Sequence, residues 1–435
     1  MERRIFLKQS SLAAGTLLLP NLSLKNEVKI KVAIVGLGWF GTEVHLANLL
    51  QNKNFEVIGI CDVNELCLTR AIEFCKKNNA PIPQTFKDYR VMYELPGLQA
   101  VTIASPTHWH ALQFIEASKK GFAIFLEKPI SFDISEGQVM LNYQKKYGNI
   151  VQVGFKSLAA DSTTDAKNFI KNGGIGKVYG AKVNLLFDTG GMPAKSPMPS
   201  TLDWDMYCGP APIVDLHKKE EEITATWKAS KHMDHGVHFD WTIHYFNNIR
   251  HILNLGLPTQ ITATGGNSRY QMENPDYSQI SLNYDGLPVE VITQTYGNEN
   301  HKEYAIGGYI YGQKGTVFVG EVGWEFIPIQ GEKERHGFIE FMPWDPAMSE
   351  ILTKSFTNLF ENWGEAILRK TNENIIANLQ DAYYATATMI YASMSMEMGT
   401  TIELKDGKPI QSEVEQSSYT TRTYRKPWIH PQKWV

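Results

Sequence analysis

The stretch that decides the fold is Lys29 to Gly41, which reads KIKVAIVGLGWFG. Its apolar run, Ile30 to Val35, is typical of a parallel strand that is buried on both faces. The run leads directly into a G-x-G-x-x-G loop at Gly36 to Gly41, and a helical pattern continues from about Phe40 to Gln51. The stretch therefore predicts a strand, a tight glycine loop and a helix in immediate succession.

Each glycine of the loop has a separate physical role. Gly36 allows the tight turn, Gly38 leaves room for a pyrophosphate to approach the backbone, and Gly41 lets the helix pack closely on the strand. A second apolar strand, Phe55 to Cys61, ends in Asp62, where a carboxylate that binds a ribose is expected. A glycine loop alone could be a plain strand–helix turn, but strand, loop, helix, strand and acid in this order favour dinucleotide binding.

The composition is that of an ordinary globular protein. The chain has 435 residues, 43% hydrophobic and 20% charged, which is enough for two domains with sizeable cores. The formal net charge is −4, and no basic tract follows the N-terminus, so we expect no nucleic acid partner.

The N-terminal residues predict export. Arg3-Arg4-Ile5-Phe6-Leu7-Lys8 resembles the twin-arginine motif, and a short apolar run from Ser11 to Leu19 follows it. That run is too short for a stable membrane span. We therefore expect residues 1–27 to be a twin-arginine-type signal segment and the protein to be periplasmic or otherwise exported, the alternative being a disordered basic tail.

The order of strands and helices predicts an α/β chain of two domains. Strands alternate with helical segments over residues 28–155, which is typical of a Rossmann domain with a doubly wound parallel sheet that binds NAD(P). Over residues 156–435 short strands follow one another, with a hairpin signal at Asp285-Gly286, and helices resume near the C-terminus. This half predicts an α+β domain with a largely antiparallel open sheet. We expect this domain to bind substrate and to form oligomers.

Two further groups of polar residues follow predicted strands of the first domain. Ser105-Pro106-Thr107-His108-Trp109-His110 comes after the third strand recognised there, and Thr107 is placed to cap the next helix. Glu127-Lys128-Pro129 comes after the strand Phe122 to Leu126. Ligands of such sheets bind beyond the carboxyl ends of the strands, so both groups and Asp62 are expected at one site.

With these motifs in place, the sequence resembles the Gfo/Idh/MocA oxidoreductases over nearly all of the chain after the signal. The resemblance rests on the glycine loop with Asp62, on the two groups after the strands, and on two segments of the second half. These are Leu202-Asp203-Trp204-Asp205 with Gly209-Pro210-Ala211-Pro212, and Asp240-Trp241-Thr242-Ile243-His244. It implies NAD, with NADP possible, and these contacts with it: Gly36, Gly38, Trp39, Phe40, Gly41, Asp62, Ser105, Pro106, Thr107, His110, Glu127 and Lys128.

Lys128 is the expected acid–base group. A lysine near the nicotinamide cation is repelled by like charge and partly desolvated, which favours its neutral form. It can then exchange the proton of a substrate hydroxyl during hydride transfer, and Pro129 stiffens the turn that aims it. Standing alone, such a lysine could equally be a solvated loop residue.

Asp240 and His244 lie four residues apart, so on a helix they share one face. By the resemblance, Lys128, Asp240 and His244 match the catalytic residues of the family, and the same three residues are expected to bind substrate. The chain departs from the family pattern at Thr242 and Asn247.

Two further interpretations concern a metal site and the binding of a sugar. His235 and His238 with a carboxylate could bind zinc, but no strict motif is present, and we assign no metal. Trp204 could stack on the face of a sugar, as could Trp227 and Trp241.

The sequence therefore predicts an exported NAD(P)-dependent oxidoreductase that acts on CH–OH groups of a sugar, glycoside or cyclitol, with a tightly bound cofactor. Asp62 favours NAD because a carboxylate repels the 2′-phosphate of NADP. Two alternatives stay open: an NAD-dependent glycoside hydrolase that works by transient oxidation and elimination, and a non-catalytic sugar or nucleotide sensor. A homo-oligomer formed through the second-domain sheet is expected.

Overall fold

The computed structural model describes residues 29–186, 194–217, 224–267, 269, 272–296, 304–338 and 346–434. The predicted signal, residues 1–27, lies outside the described residues. Among the described helices, none is both long enough and apolar enough to cross a bilayer.

The first half forms a six-stranded parallel sheet, as the alternating pattern predicted. Its strand order is β3-β2-β1-β4-β5-β6, with the order reversing between β1 and β4. The bounds are β1 Ile30–Val35, β2 Phe55–Cys61, β3 Gln84–Phe86, β4 Ala100–Ile103, β5 Ala123–Leu126 and β6 Val151–Val153. Strand β3 is not predicted by the apolar pattern, because it is a short and largely exposed strand at the edge of the sheet.

Helices connect these strands. A π-helical turn, Gly41–Leu46, leads into α1, and the expected helix after the glycine loop is thereby confirmed. The helices are α1 Ala47–Gln51, α2 Glu65–Lys77, α3 Tyr89–Met92, α4 Thr107–Lys119 and α5 Ile134–Tyr147. The predicted cap at Thr107 is wrong: Pro106 is the N-cap residue, no side chain caps α4, and Thr107 is its buried first residue.

The second half contains a ten-stranded mixed sheet of order β14-β13-β12-β11-β7-β10-β9-β8-β15-β16, in which only β7 and β10 pair in parallel. The predicted hairpin is present, with Asp285 at φ +51° and Gly286 at φ +93° between β9 and β10. The bounds are β7 Val178–Leu186, β8 Gln260–Gly266, β9 Tyr277–Tyr284, β10 Leu287–Gln294, β11 Ile306–Gly312, β12 Gly315–Val319, β13 Val322–Pro328, β14 Glu334–Phe338, β15 Ile402–Lys405 and β16 Lys408–Pro409.

Helices of the second half cover one face of this sheet and reach back to the first. The α-helices are α6 Asp161–Lys171, α7 Trp204–Cys208, α8 Thr224–Ala229, α9 Ile243–Leu253, α10 Pro346–Arg369, α11 Leu379–Met398 and α12 Ser412–Glu415. A 3₁₀ turn, Lys156–Ala159, follows β6, and a π-helical turn, His238–Thr242, runs into α9.

Helix α10 packs on the parallel sheet as well as on elements of its own half. The ring of Phe360 stacks on that of Phe125 at 4.3 Å, and the ring of Trp363 stacks on that of Phe55 at 5.2 Å. Such stacked aromatic pairs add to the gain from burying the apolar surface. The predicted boundary at residue 155 stays a prediction, and the core of the first sheet includes side chains from beyond it.

Candidate active site

The glycine loop has the geometry that its spacing predicts. Gly36 adopts φ +86°, and a β-carbon there would lie 2.7 Å from the backbone carbon of Ala104. A β-carbon on Gly41 would collide with the carbonyl oxygen of Gly36. At Gly38, by contrast, no atom of the described residues lies within 4 Å of such a carbon. Gly36 and Gly41 are therefore required by the fold, whereas Gly38 faces open space.

That open space is a cavity of about 610 Å³ at the carboxyl ends of the parallel strands. Its wall includes the whole loop 36–41 with Asp62, Ser105 and Pro106, which are among the residues predicted to contact a cofactor. Met206, Tyr207 and Trp227, from the second half of the chain, also line it. The volume falls in the range of ligand pockets, and the open backbone at Gly38 suits a pyrophosphate. The residues present therefore fit a nicotinamide dinucleotide, which when bound supplies the centre that accepts or donates a hydride.

Asp62 lies at the edge of this cavity and is held by backbone donors. Its carboxylate accepts hydrogen bonds from the backbone N–H groups of Leu37 at 2.6 Å and of Asn64 at 2.8 Å. Burial raises the pKa of Asp62 to about 6, although the bonds from Leu37 and Asn64 oppose that rise. The carboxylate is thus fixed in place between the loop and α2, where it can accept from a ribose hydroxyl.

The other predicted cofactor contacts do not line the cavity. Thr107 and His110 are buried in α4, and Glu127 is buried against the Nε2 atom of His45 at 3.0 Å. The His110 ring lies between the carbonyl oxygens of Ser105 and Pro129, each 2.8 Å from one ring nitrogen. His110 thereby connects the loops that follow β4 and β5, which is a supporting role rather than a contact with the cavity.

Lys128 and Asp240 meet across the two halves of the chain. The Lys128 ammonium donates to the Asp240 carboxylate at 2.8 Å and to its backbone carbonyl at 2.7 Å, and both side chains are mostly buried. The other carboxylate oxygen of Asp240 pairs with Lys228 at 2.9 Å. Burial disfavours the ionised form of Asp240, but the two ammonium groups outweigh it and hold the pKa of this carboxyl far below its usual range.

Lys228 was not identified from the sequence, because its neighbours form no motif. It lies in α8 directly after Trp227, which lines the cavity. The Lys228 ammonium lies 5.3 Å from the centroid of the Trp227 ring, so this ring joins the Lys128–Asp240–Lys228 cluster to the wall of the cavity. We call this cluster the ion cluster.

His244 follows Asp240 within one helical stretch, as predicted, since the π-helical turn runs directly into α9. Burial, together with the positive charges of Lys128 and Lys156, lowers the pKa of His244 well below its ordinary value. At neutral pH the ring is therefore uncharged and suited to accept a hydrogen bond from a substrate hydroxyl, but not to store a proton.

Asp234 is a second carboxyl group near the ion cluster. It is fully buried, and neither side-chain oxygen has a hydrogen-bond partner among the described residues. Burial, and next the charge of Asp240, raise the pKa of Asp234 well above its usual range. The protonated form of Asp234 is thus favoured relative to that of an exposed carboxyl group.

A buried ion pair, Lys156 with Glu321, lies close to these groups. Glu321 also interacts with the Tyr245 hydroxyl, and the charge of Lys156 acts on His244. Neither member was identified from the sequence, because the two residues lie far apart in it.

The histidines considered for zinc are engaged with protein groups. His235 Nε2 lies 2.7 Å from the carbonyl oxygen of Phe132, and His238 Nε2 lies 2.8 Å from the hydroxyl of Ser393. A different set, Asp133, Glu136 and His430, has ligand-like spacing within the described part of the chain. Arg422 bonds to Glu136 there at 2.7 Å, so an arginine supplies the positive charge that a metal would bring.

Trp204 is not among the residues that line the cavity. Its ring stacks on Tyr207 at 4.8 Å, and its indole N–H donates to the carbonyl of Val214 at 2.9 Å. Its role in substrate binding stays a prediction. Of the three tryptophans considered, Trp227 is the one at the cavity wall.

A dinucleotide-sized cavity on a Rossmann sheet, with a lysine and a carboxylate meeting beside it, defines an NAD-binding oxidoreductase. Comparison with known proteins agrees. Residues 30–155 match the oxidoreductase family with an NAD-binding Rossmann fold, GFO_IDH_MocA, and residues 213–318 match the GFO/IDH/MocA C-terminal domain. The two matches together cover just over half of the chain, and the protein belongs to the Gfo/Idh/MocA oxidoreductase family. The predicted class of enzyme is confirmed.

Two relatives show sequence similarity to this chain over different lengths. The chain is 23% identical over 405 residues to scyllo-inositol 2-dehydrogenase (NAD(+)) of Bacillus subtilis, covering 90% of this chain and 98% of the relative. It is 28% identical over 155 residues to a glycosyl hydrolase family 109 protein of Stenotrophomonas maltophilia, covering 34% of each chain.

A solved structure shares the fold. An oxidoreductase from Agrobacterium radiobacter in complex with NAD+, L-tartaric acid and magnesium superposes with a TM-score of 0.66 at 14% identity, covering 86% of this chain and 98% of that one.

Proposed function

We propose that the protein transfers a hydride between a hydroxyl or carbonyl carbon of a sugar, glycoside or cyclitol and a nicotinamide cofactor. The observation that carries the proposal is the ion cluster beside the cavity, in which Asp240 joins Lys128 of one half of the chain to Lys228 of the other. The similarity to an inositol dehydrogenase over nearly the whole chain supports a polyhydroxylated substrate.

In this proposal three residues act on the substrate hydroxyl, each in a different way. When a carbonyl is reduced, the Lys128 ammonium gives the substrate oxygen the proton of its third N–H, beyond the two that bond to Asp240, and becomes the neutral amine. When a hydroxyl is oxidised, the neutral amine takes that proton back. The neutral ring of His244 accepts a hydrogen bond from the same or a neighbouring hydroxyl. Asp240 holds Lys128 in position and can itself accept from a hydroxyl.

We further propose that NAD is preferred over NADP and that it stays bound. The preference rests on Asp62, whose carboxylate repels a 2′-phosphate. Retention is supported by the residues of the second half that wall the cavity, since release must move them.

The direct test is reduction of bound cofactor. Purified protein mixed with a panel of inositols and sugars is expected to raise the absorbance of reduced nicotinamide, without added NAD if the cofactor is retained. The hydride-transfer proposal fails if no member of the panel does so at saturating NAD. Binding of nucleotide and sugar without reduction would favour the sensor alternative.

A glycoside hydrolase acting by transient oxidation is the second candidate. It is favoured by the similarity to a glycosyl hydrolase family 109 protein, which spans only a third of each chain. Release of nitrophenol from nitrophenyl glycosides, dependent on bound NAD, would establish it.

Export and assembly are also proposals. Arg3-Arg4 supports a twin-arginine route, and replacing both with lysine should keep the protein out of the periplasm if that route is used.

A homo-oligomer through the second sheet is supported by exposed tyrosines on its strands, Tyr179 at 53% and Tyr311 at 39% exposure. Sedimentation of the wild type against Tyr179→Glu with Tyr311→Glu tests the assembly.

A further inference from the structure

One wall of the cofactor cavity comes from a segment that is distant in sequence. We call residues 199–211, which contain α7, the belt. Its backbone pairs with the loop directly after Asp62: the N–H of Glu65 donates to Thr201 O at 2.9 Å, and the N–H of Asp203 donates to Val63 O at 3.0 Å. Two belt side chains, those of Met206 and Tyr207, line the cavity. The belt therefore borders the cavity beside Asp62, the residue proposed to bind the ribose.

The belt also packs on α4, which borders the same cavity. The indole N–H of Trp109 donates to the carbonyl of Tyr207 at 2.9 Å, and the Nε2 atom of His108 lies 3.0 Å from the same oxygen. Gly209 adopts φ +51°, and a β-carbon there would collide with the Trp109 ring. These contacts with Trp109 fix the position of the C-terminal end of the belt against α4.

One side chain from the end of the chain holds the belt from outside. Arg425 pairs with the carboxylate of Asp205 at 2.7 Å and donates to its carbonyl at 2.8 Å. Its Nε–H lies 3.1 Å from the carbonyl of Gly209 and 3.0 Å from that of Ala211. The planar guanidinium satisfies backbone carbonyls at the end of α7 that would otherwise have to find water.

Arg425 is itself anchored by its neighbours. We call residues 417–434 the strap. Arg422 of the strap bonds to buried Glu136, and His430 bonds to buried Asp133 at 2.9 Å, both at the start of α5. Breaking a buried network of this kind is costly, so the strap is fixed and Arg425 is held against the belt.

From these contacts we propose that Arg425 is a positioning residue that sets how fast the cofactor leaves. The belt must lift for a dinucleotide to pass Met206 and Tyr207, and lifting it breaks the bonds to Arg425. Arg425 does not line the cavity, so it acts on release and not on hydride transfer. The inference rests on NAD binding in this cavity, as the proposed function does.

The test measures the rate at which NADH leaves. NADH fluorescence is followed after protein loaded with NADH is mixed with a large excess of ADP-ribose. Arg425→Ala should release NADH at least roughly tenfold faster, because several hydrogen bonds to a charged group are lost. Arg425→Lys should fall between that variant and the wild type, since an ammonium cannot span the same acceptors.

Two further variants complete the set. Asp205→Ala removes the carboxylate that pairs with Arg425. The Asp205 side chain is 68% exposed, so the fold should be kept and the NADH release rate should rise only about threefold. Arg369→Ala is the matched control, because Arg369 forms an exposed pair with Glu365 on α10, and its rate should equal that of the wild type. The rate of hydride transfer in a single turnover at saturating NAD should be unchanged in all four variants, because none of the substituted side chains lines the cavity.

The outcomes separate the two ideas. Release from Arg425→Ala and Asp205→Ala within twofold of the wild-type rate would overturn the role of Arg425, while leaving the proposed function intact. If Arg425→Ala does not fold, an unchanged rate in Asp205→Ala alone overturns it. Failure of the wild type to bind NADH would instead remove the NAD-dependent function and this inference together.

Discussion

The cofactor half and the substrate half of the site differ in how their residues are distributed along the chain. The centre of the cofactor half, the loop at Gly36 to Gly41 with Asp62 shortly after it, comes from one strand–helix–strand unit, and other segments complete the walls of the cavity. The substrate half joins Lys128, Lys228 and Asp240, which come from three separate elements. The first half is dictated by backbone geometry and the second by tertiary packing, so the two should respond differently to substitution.

The largest effect is expected in the substrate half. Lys128→Ala removes the proposed acid–base group and should lower turnover by about 10²–10⁴-fold while NAD still binds. Lys228→Ala is the matched comparison, because it removes the other partner of the same carboxylate, and about tenfold is expected from one lost charge-assisted bond. Steady-state kinetics at saturating NAD measures both. Equal losses in the two variants would mean that Lys128 acts only as a counter-ion.

In the cofactor half, a β-branched side chain should separate fold from function. Gly38 faces open space, so Gly38→Val should keep the wild-type melting temperature and weaken NAD binding by roughly two orders of magnitude. Gly41→Val forces a collision with Gly36 O and should unfold the loop as well. Calorimetry and thermal melts of both variants test this, and wild-type affinity in Gly38→Val would move the pyrophosphate elsewhere.

This difference explains what the sequence could predict. The strands β1 and β2 and the glycine turn follow from local patterns, and the structure confirms them. Asp62 follows β2 directly and lines the cavity, and its bond to a ribose stays a prediction. Thr107 was misassigned because the rigid backbone of Pro106 takes the cap position. Lys228 and Arg425 carry no local signal, since each matters only through a partner far away in sequence.

A smaller effect should appear in the pH dependence of NAD binding. The pKa of Asp62 is raised to about 6, and a ribose hydroxyl bonds best to the carboxylate form. As pH falls through 6 the carboxylate takes up a proton, so the dissociation constant should rise by up to about tenfold per pH unit. Asp62→Asn cannot titrate and should remove this dependence. Titrations between pH 5 and 8 that are equally flat in the wild type and in Asp62→Asn would contradict the assignment.

The smallest effect concerns stability near the ion cluster. The raised pKa of Asp234 means that the folded protein binds a proton which the unfolded chain releases above its ordinary pKa. Stability should therefore fall as pH rises above about 4, by at most about 1.4 kcal/mol per pH unit from this group, until the folded-state pKa is passed. Asp234→Asn keeps the shape and removes the titration. The free energy of unfolding, measured by urea denaturation, should rise in Asp234→Asn relative to the wild type as the pH is raised. If the two proteins show the same pH dependence instead, Asp234 is already ionised in the folded wild type.

The central claim is that the two halves act together, with a substrate hydroxyl held at Lys128 and Asp240 beside a bound nicotinamide. The most direct measurement is a single turnover in which protein loaded with NAD is mixed with an inositol or sugar deuterated at each oxidisable carbon, and the released nucleotide is weighed by mass spectrometry. We predict a deuterium atom on the nucleotide from the wild type and none from Lys128→Ala, although both bind NAD equally. Unlabelled nucleotide from the wild type with every member of the panel, or equal labelling in Lys128→Ala, would contradict the account.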